Sequence, residues 1–164
     1  MSEGGLKYAA FVEQELKAER DRRTNLEARA QTIITTSGTV VTLLAAVGAF
    51  VGAWAKRAVP RTIGYPLVVT VTMFTFAVLF AVLSTFIFKY SVVDLKSLER
   101  LPRANWGDSD DIAVKNITAM NVTTIGTLRR GNNKKVVLLM VAWCAQLFAV
   151  ASLGLVVYLI TING

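Results

Sequence analysis

With 164 residues, 54% of them hydrophobic, and a mean hydropathy of +0.50, the chain has room for one domain and is too apolar for an ordinary soluble one. Its formal charge of +7, from 18 basic and 11 acidic side chains, lies between long uncharged runs, so the bilayer is expected to be part of its solvent. Histidine is absent and the one cysteine, Cys144, sits inside an apolar run, which excludes the usual zinc sites, histidine-based catalysis and any intrachain disulfide.

Residues 1–31 carry six basic and six acidic side chains, with Glu3/Lys7, Glu13/Lys17 and Glu19/Arg23 spaced four apart in the favourable acid-first order. That pattern predicts a charged cytoplasmic helix. Leu6, Ala9, Val12 and Leu16 form a narrow apolar stripe on it, interrupted from Glu19 to Asn25 and resumed at Leu26, Ala28 and Ala30. The segment lacks the short basic start of a secretory signal peptide and is expected to stay in the mature protein. A solvated lead into the membrane and a coiled-coil oligomerisation arm both fit it.

The stretch 33–55 contains no charge and, at about 1.5 Å per residue, is long enough for a hydrocarbon core of about 30 Å. It is read as the first transmembrane helix. Lys56, Arg57, Pro60 and Arg61 close it, and a second span is expected over 63–88 after a tight turn. Residues 89–135 form a hydrophilic segment with nine basic and five acidic side chains. Two helices are expected within it. Val92, Val93, Leu95, Leu98 and Leu101 suggest a short amphipathic one ended by Pro102. Asp108 or Ser109 is placed to cap a second, with Asp110 and Asp111 in its first turn and Arg129, Arg130 and Gly131 at its end. The third span is 136–162. The fold class expected is thus an all-α integral membrane protein with three transmembrane helices, a charged N-terminal helix and a cytoplasmic helical loop, forming one membrane domain over 1–164.

Basic side chains number fifteen in the N-terminal and long-loop segments against three in the short connection, which places the N-terminus and loop in the cytoplasm and the C-terminus outside. Two Asn-x-Thr triplets, at Asn116 and Asn121, then fall on the side where glycosylation does not occur.

Several polar or small residues stand out against this apolar background. Thr35, Thr39 and Thr42, with Gly48 and Gly52, give the first span a small, partly hydroxylated face suited to close helix contact. Packing within the chain, with hydroxyls bonded to carbonyls one turn back, and self-association around a polar path are both open. Gln146, the one strongly polar side chain near the middle of the third span, needs a hydrogen-bond partner. Cys144 is expected to be a small buried residue. Arg103 and Trp106 are candidates for recognising a trigger, by pairing with and stacking on a nucleotide, or else belong to a helix cap and an interfacial anchor. The pairs Arg129–Arg130 and Lys134–Lys135 are expected to touch anionic headgroups. No cofactor, metal or nucleophile–base pair is implied, so an enzyme is not expected.

Three short stretches carry a family likeness. Leu26, Glu27, Ala28, Arg29 and Ala30 open the first span, Leu101, Pro102 and Arg103 follow the second, and Asn132, Asn133, Lys134 and Lys135 lead into the third. In this order they resemble elements of the small membrane effectors of bacterial anti-phage defence, the Pycsar transmembrane effectors and SLATT-type proteins. Glu27 and Arg29 stand at the acidic and basic places of that group's Ala-Asp-x-Lys-Ala element, with glutamate for aspartate. The resemblance implies an oligomeric inner-membrane effector that damages the bilayer when infection is sensed. Its partners would be the lipid bilayer, further copies of the chain, and a cytoplasmic protein or nucleotide second messenger; no nucleic acid is expected. A phage or prophage factor for superinfection exclusion and a plasmid-transfer membrane subunit are the alternatives.

Overall fold

The computed structural model describes residues 3–55, 61–86 and 109–163. Three α-helices account for nearly all of them: α1 (Glu3–Ala55), α2 (Arg61–Thr85) and α3 (Asp110–Asn163). The expected connection 56–60 and the residues 87–108, with the short amphipathic stretch, Arg103 and Trp106, lie outside the described residues.

Helix α3 starts where the sequence places it. The Ser109 carbonyl accepts the N–H groups of Ile112 and Ala113 at 2.9 and 3.1 Å, and Asp110 and Asp111 sit in the first turn against the positive end of the helix dipole. The expected stop at Gly131 is incorrect: α3 continues without a break to Asn163. A glycine inside a helix costs only about 1 kcal/mol relative to alanine, and Gly131 is buried between packed positions at Leu128 and Asn132. With no proline behind it, packing on both sides carries the helix through. The segments expected as a loop helix and a third span are therefore one 54-residue element. Likewise the charged N-terminal helix and the stretch 33–55 are one 53-residue helix, α1.

Among the described residues two helices are long and apolar enough to cross a membrane, α2 through Gly64–Thr85 and α3. Only 28% and 17% of their most apolar windows are buried, the reverse of a soluble core helix. Residues 33–55 are helical throughout, but the side chains of 47 and 50–55 lie outside the described residues, and this stretch is not one of the two.

The chain divides into two compact units, Met1–Leu26 with Ile87–Lys134, and Glu27–Phe86 with Lys135–Gly164. In the first, Leu16, Ile125 and Leu128 form the apolar core with Val12 against it. Buried and half-buried positions fall at 12, 16, 19, 23 and 26 of α1 and at 118, 121, 125, 128 and 132 of α3. Alternating steps of four and three are the seam of a coiled coil. In the second unit the alternation recurs at 30, 33 and 37 of α1 and at 70, 74, 77, 81 and 84 of α2, while the buried positions of α3, at 135, 139, 142, 145 and 149, step by four, three, three and four. Ala30, Ala77, Ala81, Ala142 and Ala149 are fully buried there, which lets backbones approach, and Phe74 is the largest buried apolar side chain. Cys144 falls between seam positions 142 and 145 and is exposed, contrary to the expectation of burial.

Candidate functional site

The seam of the first unit is crossed by a charged layer. Glu19 stands at a core position on α1 and is 6% exposed; Asn132 stands at a core position on α3 and is fully buried. The Asn132 amide Nδ2 donates to both the Glu19 carbonyl, at 3.0 Å, and the Glu19 Oε2, at 2.9 Å. The other carboxylate oxygen accepts from Arg129 Nε at 2.8 Å, while Arg129 Nη2 donates to Glu15 Oε2 at 2.6 Å. Arg22 lies 3.8 Å from Glu19 Oε2 and donates to Asn133 Oδ1 at 3.2 Å. Burial pushes the Glu19 carboxyl up, but the hydrogen bonds from Arg129 and Asn132, with the charges of Arg22 and Arg129, outweigh it and hold the group below its ordinary value. One atom is left over: Asn132 Oδ1 is buried and has no hydrogen-bond partner among the described residues.

A second ionic contact belongs to the other unit. Lys135 Nζ donates to Glu27 Oε1 at 2.6 Å, with the lysine side chain 1% exposed and the glutamate 38%. In each unit the acid comes from α1 and the base from α3. Contacts also advance together along the two helices, Glu15 to Arg129 and then Glu19 to Asn132 in one unit, Glu27 to Lys135 and then Thr36 to Gln146 in the other. Within each unit α1 and α3 therefore run parallel.

This arrangement revises the part expected of the basic pairs. Lys135 is 1% exposed and held by Glu27 of α1, which keeps it from the headgroup contact expected of it, while Arg129 pairs with Glu15 and Glu19 and stays 53% exposed. The reason is the heptad position of Lys135, which turns its stem into the seam instead of toward the surface.

Gln146 has its partner inside the chain. Its Nε2 donates to Thr36 Oγ1 at 3.0 Å, and Thr36 in turn donates to the carbonyls of Thr32 and Ile33. Nearby in sequence, Ser37 is fully buried and its hydroxyl has no partner among the described residues. On α2, the Pro66 carbonyl accepts from Thr70 at 2.8 Å and from Ser152 of α3 at 2.9 Å.

The small face of α1 points the other way from this core. Thr35, Gly38, Thr39, Thr42 and Gly48 are all exposed, whereas Ala30, Ile33 and Ser37 are buried. Thr39 and Thr42 donate to the carbonyls of Thr35 and Gly38, one turn back, at 2.8 and 2.9 Å. A methyl group added at Gly38 or Gly48 would meet nothing within 4 Å. Packing within the described chain thus leaves this face open; the surroundings of Gly52, like Arg103 and Trp106, lie outside the described residues. No group of three or more metal-binding side chains occurs among the described residues.

Glu19, Glu27, Asn132 and Lys135 were not evident as a set from the sequence. Their signal is the three-four spacing followed through polar positions, since Glu19 and Arg23 continue the stripe of Val12 and Leu16 in register instead of interrupting it. Comparison with known protein families, curated proteins and solved structures gives no match for the chain.

Proposed function

We propose that the chain is a three-span protein of the bacterial inner membrane, with 33–55 as its first span and its N-terminus in the cytoplasm, which self-associates and permeabilises the bilayer when triggered. The observation that carries this reading is the open hydroxyl face of α1: a helix in lipid gains little from exposing Thr35, Thr39 and Thr42 unless another small, polar surface meets them. In a closed assembly those faces pack together; rotation of the helices hydrates them. The membrane setting is supported by the two apolar, mostly unburied helices. The antiviral role is supported by the resemblance carried by Leu26–Ala30, Leu101–Arg103 and Asn132–Lys135, two of whose elements meet in the Glu27–Lys135 pair.

The test is membrane-potential dye uptake in cells expressing the protein, with and without phage challenge. Thr35→Val with Thr39→Val removes two hydroxyls from an exposed face without touching the buried one, so expression should persist while depolarisation and protection are lost together. Protection that survives with an unaltered potential would sink the permeabilising reading and favour exclusion of the incoming genome.

A further inference from the structure

The charged layer of the first unit is satisfied in a lopsided way. The Asn132 amide offers two N–H groups and one oxygen, and both donor bonds go to Glu19. Turning the amide over would set its oxygen against a carbonyl and a carboxylate, so Glu19 itself forces the Asn132 Oδ1 to stay unpaired. A buried acceptor left without a donor is a standing cost to the paired state. Two leucines would fill the same heptad positions with none, which is why polar residues in such seams select register and partner at the expense of stability.

We propose that Glu19, Asn132 and Arg129 form a release point: they fix the parallel register of α1 and α3 in this unit while holding the pair below its attainable strength, so that the helices separate there first. Among the described residues the groups facing Glu19 are Arg22 on its own helix and Arg129 and Asn132 on α3, and Glu15 shares Arg129. A signal that engages Arg129, or offers a donor to Asn132 Oδ1, would therefore act on the pairing directly. The inference stands whether or not the chain permeabilises membranes.

Hydrogen exchange of the purified full-length protein in lipid nanodiscs tests it, read at the amides of residues 12–26. Glu19→Leu with Asn132→Leu removes the layer and its unpaired atom together, and exchange there should slow at least tenfold. Asn132→Asp keeps the size and sets a second carboxylate against Glu19, and exchange should quicken at least tenfold. Exchange in the double leucine variant that is unchanged or faster would overturn the proposal, as would an Asn132→Asp variant that exchanges no faster than the wild type.

Discussion

Removing one partner of the Lys135–Glu27 pair should have opposite consequences depending on which is removed. The ammonium is 1% exposed and 2.6 Å from its carboxylate, whereas the carboxylate is 38% exposed and already half in contact with solvent. Glu27→Ala leaves a positive charge in the seam of the second unit. Breaking a buried pair costs about 3–5 kcal/mol, reduced here to about 2 kcal/mol because Glu27 is partly exposed and a lysine stem can carry its charge outward. Lys135→Leu instead removes the group that had to be desolvated, while the 38% exposed Glu27 keeps its access to solvent, so the change should be near zero or stabilising, on the order of 1 kcal/mol. Chemical unfolding in micelles, followed by helix signal, measures both. Equal losses from the two substitutions would refute the reasoning, since they would make the ion pair itself, and not the burial of one partner, the source of the effect.

The charge on Glu19 predicts an acid-sensitive first unit. Because its folded pKa is lowered, its contribution is fully present above the unfolded value of about 4.3 and is lost as pH falls through the lower folded value; Glu19→Gln should flatten the acid limb of a thermal-stability profile from pH 3 to 6. In the second unit, Thr36→Val leaves the Gln146 amide without its acceptor and should cost about 1 kcal/mol, while Gln146→Leu leaves Thr36 bonded to its own helix and should cost less, compared in the same unfolding assay. A Cβ at Gly48 meets nothing within 4 Å, so loss of cross-linked oligomers in membranes on Gly48→Ile would report contact between copies; unchanged oligomers would remove this face of α1 from the interface.

The start of α3 was legible because cap, acidic first turn and carbonyl pairing all act within four residues of Ser109. Its end was not, because the Arg129–Gly131 signal is local and weak, whereas the contacts that keep the helix going reach α1 over 110 residues of sequence. The apolar lengths of α2 and the later part of α3 follow from composition alone. The threonine face of α1 was identifiable by spacing, but whether it is covered depends on which of its sides α3 occupies. Ser37, one residue from Thr36 and buried, shows how little the sequence distinguishes the two sides.

The parallel course of α1 and α3 has a consequence for how the protein is made. The cross-helix hydrogen bonds described between them join residues 108 to 114 apart. At translation rates of about 5–20 residues per second, each carboxylate on α1 emerges from the ribosome roughly 5–20 s before the base it will meet. During that interval α1 cannot bury its seam against α3, and Glu19 has only Arg22 of its own helix among the basic partners described for it. Pairing of α1 with α3 in both units is thus deferred until α3 has been made, and a chain cut short before Arg129 would carry an α1 without the Arg129 and Lys135 contacts to Glu15, Glu19 and Glu27.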